Sequence, residues 1–251
     1  MITTAFLQGQ GPRWLRHEER LLAEGLGRLG IPIRFYVLRR IQRRQLPLGP
    51  ETMVAGDMDA MHGAMSQLRI PIPHADDYPA SLREYLRRTV WMSTLGEVER
   101  ALDAGTIVPT FVKPARRRKN FTGTVCYSER DIAALGNISR HQEVWCSEIV
   151  AWIAEFRVYV IDRRIVTVSR YSGDRSISPD MNVIESAIAT YRDSGTAPIA
   201  YGMDFGVLNT GETALVEVND GYALGAYEID ADLYTELVTR RWSELLTTAE
   251  S

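Results

Sequence analysis

The sequence predicts a protein of mixed helices and strands, with a small parallel α/β unit followed by antiparallel hairpins. Residues 2–7 are typical of a strand, residues 14–29 of an amphipathic helix and residues 31–38 of a second strand. This strand–helix–strand order predicts a parallel α/β unit. Residues 153–170 and 201–220 each contain two strand-like runs on either side of a turn, which predicts two hairpins.

Composition and charge bound the class of protein. The chain has 251 residues, of which 24% are charged and 45% are hydrophobic, as in an ordinary soluble globular protein. This length allows one large domain or two to three small lobes. The net charge of −3 and the pI near 5.9 give no overall basic field, which argues against nucleic acid as the main partner.

Targeting and redox signals favour a cytoplasmic protein. Residues 1–8 lack the basic stretch and apolar core of a signal peptide, and no apolar run approaches the ~20 residues needed to cross a bilayer. Cys126 and Cys146 are the only cysteines and form no CxxC pair, so neither a disulfide framework nor a zinc site is indicated. We therefore expect a cytoplasmic protein without a membrane partner.

The middle of the chain continues with short strands and helices. Residues 53–56 predict a strand, and Asp57 is placed to cap a helix over residues 58–68. Apolar residues at helical spacing predict one long helix over residues 81–104. We place the end of the N-terminal α/β lobe near residue 80.

A basic segment follows a predicted strand over residues 107–114. Lys113 lies at the end of that strand, and the loop after it runs through Lys119 to Gly123. A lysine followed by a polar turn can hold phosphates through side-chain charge and backbone amides. A surface hairpin with a basic tip accounts for the same residues equally well.

The hairpin over residues 201–220 carries carboxylates on one face. If Thr210 and Gly211 form the loop, Asp204 lies opposite Glu217, and Asn219 follows on the same face. The other face then forms a core of Met203, Phe205, Val207, Ala214, Val216 and Val218. The sequence therefore predicts a hairpin that is buried on one side and polar on the other, where Gly202 and Gly206 keep the polar face open.

Two opposed carboxylates need a cation or solvent between them, because like charges directly across a sheet are destabilising. Asp204, Glu217 and Asn219 offer only oxygen ligands, which suit magnesium or manganese held together with substrate phosphates. A solvated hairpin face is the alternative.

The hairpin over residues 153–170 leaves two registers open. With Arg163 and Arg164 as the loop, Arg157 lies opposite Arg170, and this pair of cations would attract an anion. With the loop one residue earlier, Glu155 faces Arg170 in an ordinary cross-strand pair.

Taken in order, these parts resemble the ATP-grasp family, specifically a small clade marked by two arginines and a lysine in the nucleotide site. The resemblance covers most of the chain and rests on the order of several segments. These are Arg87-Arg88, Phe111-Val112-Lys113-Pro114, Thr122-Gly123-Thr124-Val125, Ser147-Glu148-Ile149-Val150, Glu155-Phe156-Arg157-Val158, Arg170, Asp204 and Glu217-Val218-Asn219.

The resemblance implies an α+β architecture in which two subdomains grip ATP behind a small N-terminal α/β domain. The corresponding units are an N-terminal domain over residues 1–80, an ATP-grasp N-subdomain over residues 81–147 and a C-subdomain over residues 148–251. Two departures from the family pattern concern the glycine-poor loop before Gly123 and the segment Asp220-Gly221-Tyr222 after the metal strand.

The resemblance also implies roles for individual residues. The implied ATP contacts are Arg88, Lys113, Lys119, Gly123, Glu148 and Val150. Arg157 and Arg170 are implied to face phosphates or the acyl-phosphate intermediate and so act in catalysis. Asp204, Glu217 and Asn219 are implied to hold Mg²⁺, with Mn²⁺ as a substitute.

The implied function is an ATP- and Mg²⁺-dependent ligase that joins a carboxylate to an amine, with small molecules or peptides as substrates. An ATP-grasp kinase and a nucleotide-binding module without turnover are the alternatives, and a nucleic-acid binder acting through its arginine runs is a third. Arg13, Tyr171 and Tyr222 are candidates for substrate contact, and the protein is expected to be a monomer or homodimer.

Overall fold

The computed structural model describes residues 1–9, 14–115 and 121–248. These residues contain three β-sheets. The first sheet contains β1 (Thr4–Gln8), β2 (Ile33–Tyr36) and β3 (Thr52–Ala55). The second contains β4 (Val90–Thr94), β5 (Thr110–Pro114), β6 (Thr124–Cys126) and β7 (Glu143–Ser147). The third contains β8 (Trp152–Ile161), β9 (Arg164–Gly173), β10 (Ala200–Leu208) and β11 (Thr213–Asp220).

The connectivity differs between the first sheet and the other two. The first sheet is parallel with the order β2-β1-β3, whereas the second (β4-β7-β5-β6) and third (β11-β10-β8-β9) are antiparallel. The helices are α1 (His17–Arg28), α2 (Leu38–Gln42), α3 (Met58–Leu68), α4 (Leu95–Asp103), α5 (Glu129–Ala134), α6 (Met181–Asp193) and α7 (Ala231–Thr247). The parallel strand–helix–strand unit predicted at the N-terminus is thus confirmed.

The N-terminal unit shares its core with the last helix. Leu22 and Leu26 of α1 and Met53 of β3 pack in one buried cluster with Trp242 of α7. The indole Nε1 of Trp242 donates a hydrogen bond to the Thr52 carbonyl at 2.8 Å. Asp57 caps α3 as predicted, because its carboxylate accepts the Ala60 amide at 2.9 Å. None of the described helices is long and apolar enough to span a membrane.

The long helix predicted over residues 81–104 is wrong. A 3₁₀ helix (Ala80–Tyr85) is followed by β4 and then by α4. Arg87 adopts a positive φ of 50°, which ends the helical path. Thr94 and Glu97 form a capping box that begins α4, and the motif Thr-x-x-Glu was a sequence signal for that start.

The capping box of α4 provides a stability prediction. Replacing Thr94 with alanine removes the side-chain acceptor of the Glu97 amide and is expected to lower the free energy of unfolding by about 1 kcal/mol. Asp103→Asn, at the exposed other end of the helix, is the matched control. Urea unfolding of both variants measures the difference, and equal midpoints would contradict a stabilising cap.

The same cap makes stability depend on pH. Hydrogen bonds from the Thr94 backbone and from Ser93 hold the pKa of Glu97 below its usual range. The stabilisation is therefore present above the ordinary carboxyl pKa and is lost as the pH falls through the lower folded value.

β-Bulges decide the register of the hairpin formed by β8 and β9. Asp162 and Arg163 form the turn, both with positive φ, so the second predicted loop is the observed one. Register shifts then place Arg170 opposite Phe156, and Arg157 opposite Ser169. Neither predicted partner of Arg170 is correct, because one extra residue in β9, Val166, shifts Arg170 from Glu155 to Phe156, between the two predicted partners.

The hairpin of β10 and β11 has the predicted pairing of its polar residues. Asp204 lies opposite Glu217, and Gly202 lies opposite Asn219. The turn is longer than predicted, since the Leu208 amide donates to the Glu212 carbonyl at 2.8 Å, and a bulge later restores the register. As a result Leu215 packs in the core opposite Phe205, whereas the predicted core positions Ala214 and Val216 do not lie on that face.

Candidate active site

Asp204 is held by an arginine on the neighbouring strand. Arg157 of β8 lies directly opposite Asp204 of β10. Its Nε donates to Asp204 Oδ1 at 2.7 Å and its Nη2 donates to Oδ2 at 2.6 Å. Both side chains are almost fully buried, so this is a two-pronged ion pair out of water.

Glu217 is paired with a lysine that reaches across from the second sheet. Lys113 Nζ lies 2.5 Å from Glu217 Oε2 and 2.9 Å from Asp77 Oδ2. The same Nζ stands 4.5 Å from the centre of the Tyr78 ring. Lys113 therefore links the second sheet to the third, and its two carboxylate partners come from different segments.

Asn219 shows that the two carboxylates converge. Its Nδ2 lies 3.3 Å from Asp204 Oδ2 and 3.1 Å from Glu217 Oε1. The oxygen and nitrogen of an amide are exchanged by a half-turn of the group, so the Asn219 oxygen can face the same point. Asp204, Glu217 and Asn219 therefore converge, and with the amide turned they offer the kind of oxygen ligands that Mg²⁺ prefers.

Charge and burial compete at each ionisable group. Burial raises the pKa of Asp204 to about 6, and the Arg157 guanidinium opposes this rise. Burial alone would raise the pKa of Glu217, but Lys113 and Asn219 outweigh it and hold that pKa below its usual range. The Glu217 carboxylate is therefore ionised at neutral pH, and the Arg157 guanidinium favours the ionised form of Asp204 against the effect of burial. No group of three or more His, Cys, Asp or Glu side chains placed to hold a metal occurs in the described part of the chain, so the oxygen set depends on Asn219.

A cavity of about 620 Å³ adjoins these residues. It extends from Arg157, Asp204, Glu217 and Asn219 to the start of α1 and the segment that follows β11. Two of the candidate substrate-contact residues, Tyr171 and Tyr222, line it; the third, Arg13, lies outside the described residues. The cavity therefore opens onto the convergent oxygens from the side of the N-terminal unit.

Tyr171 reaches this cavity because it is an extra residue at a bulge in β9. Its ring stacks on that of Tyr227 with centres 4.8 Å apart, and its hydroxyl donates to Glu155 Oε2 at 3.2 Å. The Arg157 guanidinium lies 5.0 Å from the Tyr227 ring centre. The two tyrosines therefore form an aromatic wall beside the ion pair.

Arg170 is not brought together with the other predicted site residues. It lies 5.6 Å from the ring centre of Phe156, its cross-strand neighbour, and lines a separate cavity of about 740 Å³ together with Arg175 and Ser172. Its Nε is buried and has no hydrogen-bond partner among the described residues. The residue directly after it, Tyr171, faces the carboxylate side instead.

The remaining predicted nucleotide contacts lie around the junction of the second and third sheets. Glu148 and Val150 belong to the four-residue connection between β7 and β8, and Glu148 Oε2 accepts the Thr89 amide at 2.7 Å. Arg88 lies next to Thr89, half-buried, and donates hydrogen bonds to backbone carbonyls. Lys119 lies outside the described residues.

Three glycines are required by close packing in and around the site. A Cβ on Gly123 would come within 2.6 Å of the Phe111 ring, beside Lys113. A Cβ on Gly206 would strike the Trp152 ring at 2.2 Å, and one on Gly202 would meet Leu224 at 2.9 Å. The prediction that Gly202 and Gly206 leave an open face is therefore wrong, because Leu224 and Trp152 fill that space.

Sequence reasoning missed several residues of the site. Asp77, Tyr78, Trp152 and Tyr227 all contact its arginines and lysine. Glu19, at the start of α1, is buried and paired with Arg16 at the far end of the cavity. None of these residues lies in a local motif, so no pattern in the sequence identified them.

A family profile matches the part of the chain that carries most of these residues. The profile that matches residues 85–237 describes an ATP-grasp domain, the second family of the clade named for two arginines and a lysine. A search of curated proteins gave no significant match.

Solved structures with the same fold include three at low sequence identity. D-alanine–D-alanine ligase from Bacillus anthracis, complexed with ATP, has a TM-score of 0.57 and 11% identity, covering 98% of this chain and 99% of that one. N5-carboxyaminoimidazole synthase from Aspergillus clavatus, in complex with ADP, has a TM-score of 0.53 and 14% identity, covering 95% and 77%. The ATP-grasp ligase PsnB, complexed with the precursor peptide PsnA2 and AMPPNP, has a TM-score of 0.52 and 13% identity, covering 100% of both chains.

Proposed function

Because this chain belongs to the ATP-grasp domain family, in the second family of the two-arginine, one-lysine clade, we propose that it is an ATP- and Mg²⁺-dependent ligase that joins a carboxylate to an amine. The reaction would proceed through an acyl phosphate, formed when the γ-phosphate passes to the substrate carboxylate and consumed when the amine displaces phosphate. We further propose the division into an N-terminal domain (1–80), an N-subdomain (81–147) and a C-subdomain (148–251).

The observation that carries this proposal is the convergence of Asp204, Glu217 and Asn219 between Arg157 on one side and Lys113 on the other. Such a reaction needs little from the protein beyond positioning and neutralisation of charge. Carboxylates can hold a metal ion, and fixed cationic side chains can hold phosphates. Together they meet that need, and no activated nucleophile is required.

The all-oxygen chemistry of the three side chains and their convergence support a Mg²⁺ site. The ion would be held by Asp204, Glu217 and Asn219, and it would neutralise the charge of the ATP phosphates. Both carboxylates are now neutralised by cations of the chain itself. Arrival of a divalent cation would make Lys113 available to the phosphates.

The other proposed contacts with ATP are assigned from where each residue lies in the fold. Glu148 and Val150, in the connection between the two sheets, are proposed to meet the adenine. Gly123, packed closely beside Lys113, would let the loop that contains Lys119 approach the phosphates. Arg157 and Arg170 are proposed to face the phosphates or the acyl-phosphate intermediate, Arg170 from the side of the separate cavity that it lines.

The substrates are proposed to bind in the cavity of about 620 Å³. Its size accommodates an amino acid or the end of a peptide. The PsnB structure with a precursor peptide adds peptides to the substrates that merit testing.

A screen of amino acids and short peptides tests the proposal directly. The expected result is release of ADP and phosphate that requires both Mg²⁺ and an acceptor pair, with an amide product identified by mass spectrometry. A phosphoester product would indicate a kinase instead. Tight ATP binding without turnover across the screen would indicate a nucleotide-binding module.

A further inference from the structure

A β-bulge sets the register on which the opposed carboxylates depend. Phe205 lies opposite Leu215, but Asp204 lies opposite Glu217, so Val216 is an extra residue in β11. If the ladder continued without this bulge, Asp204 would face Val216 and Glu217 would point to the other side of the sheet. The placement of Glu217 beside Asp204 therefore requires the bulge to be kept.

The guanidinium of Arg88 binds the backbone at this bulge. Its Nη1 donates to the Leu215 carbonyl at 2.7 Å, and its Nη2 donates to the Val216 carbonyl at 2.9 Å. Nη1 also donates to the Leu86 carbonyl at 3.0 Å. A bulge disrupts the hydrogen bonds between strands locally. A donor outside the sheet, here Arg88, therefore supplies hydrogen bonds to these carbonyls.

Arg88 is itself fixed by aromatic neighbours. Its guanidinium lies 5.3 Å from the Trp152 ring centre and 6.0 Å from that of Tyr78. Trp152 in turn packs against Gly206 on the adjacent strand. A planar fork held in this way can serve two neighbouring carbonyls at once, which a lysine ammonium cannot do with the same geometry.

We propose that Arg88 is a positioning residue for the metal set: by holding the bulge at Val216, it keeps Glu217 opposite Asp204. Its expected effect on Mg²⁺ rests on the proposed function. Its effect on how well β11 is ordered needs neither ATP nor Mg²⁺. The ordering of β11 and the Mg²⁺ requirement can therefore be tested separately.

The first test compares Arg88→Met with Arg87→Met, its exposed neighbour. Hydrogen–deuterium exchange of the apo protein is expected to be faster over residues 213–220 in Arg88→Met only. In the acceptor-dependent reaction, Arg88→Met is expected to raise the half-saturating Mg²⁺ concentration by about 10-fold or more, as loss of residues that orient metal ligands typically does. The KM for ATP at saturating Mg²⁺ is expected to change little.

Deletion of Val216 provides a second, sharper test. Without that residue a regular ladder already places Glu217 opposite Asp204, so the bulge is no longer needed. The Arg88→Met effect on the Mg²⁺ requirement should therefore disappear when the two changes are combined, as in a double-mutant cycle. A direct contact between Arg88 and the nucleotide would instead leave the effect intact.

Each outcome decides the inference. A raised KM for ATP with an unchanged Mg²⁺ requirement, or a full penalty that persists without Val216, would overturn it. If the deletion variant does not fold, Arg88→Lys decides: we expect it to resemble Arg88→Met, and a wild-type Mg²⁺ requirement would refute the proposal. If the wild-type protein shows no Mg²⁺-dependent turnover, the proposed function fails, and the exchange of residues 213–220 still tests the bulge.

Discussion

Replacing Glu217 with glutamine is expected to lower Mg²⁺-dependent ATP turnover by about 100-fold or more, the scale seen when one electrostatic group of an active site is removed. The substitution keeps the shape of the side chain and its proximity to Asn219 but removes the charge that a metal ion needs. It also leaves Lys113 with Asp77 as its remaining carboxylate partner. The measurement is the steady-state rate of ADP release as Mg²⁺ is varied at fixed ATP.

Glu212→Gln is the matched control for this prediction. Glu212 lies on the same hairpin, is exposed at the turn and contacts Thr210. The same chemical change at that position is expected to leave turnover unaltered. Normal Mg²⁺-dependent turnover by the Glu217 variant would remove Glu217 from the metal set.

Replacing Arg157 with methionine is expected to lower the free energy of unfolding by about 3–5 kcal/mol, because it leaves the Asp204 carboxylate buried and without its cation. Asp204 is 3% exposed, so water cannot compensate for the lost pair. The loss also removes the hydrogen bond from Arg157 to the Gly225 carbonyl. Urea unfolding measures the change.

A second substitution separates charge from packing in this ion pair. In the Arg157→Met background, Asp204→Asn removes the unpaired charge and is expected to restore most of the lost stability. Arg164→Met, at the exposed start of β9, is the control for loss of an arginine from the same hairpin. Equal unfolding midpoints for Arg157→Met and wild type would show that the pair contributes little to stability.

The pairing of Asp204 with Glu217 was predicted from a two-residue turn and is observed only because the bulge at Val216 offsets a longer turn. The parallel N-terminal unit and the Asp57 cap were predictable for a simpler reason, because their signals are local in the chain. The order of Lys113, Glu148, Arg157 and Asp204 was likewise sufficient to identify the family to which the matched residues belong.

The pattern of apolar residues gave a wrong prediction where the same spacing fits both a helix and a strand. Residues 81–104 have apolar positions that fit a helix, yet the chain turns at Arg87 and pairs β4 with β7. Partners for a strand lie far away in sequence, so periodicity within one segment cannot distinguish these outcomes.

The sequence by itself determined which residues carry the charge and oxygen of the site, because composition and alternation are local properties. Only the tertiary structure decided which of them meet. A bulge at Val166 in β9 placed Arg170 on the other face of the sheet from Arg157, and a bulge at Val216 in β11 placed Glu217 opposite Asp204. Lys113 contacts Asp77 and Glu217 because separate segments of the chain pack together. Bulges and contacts between sheets arise from fitting distant side chains together, and no local spacing records that fit.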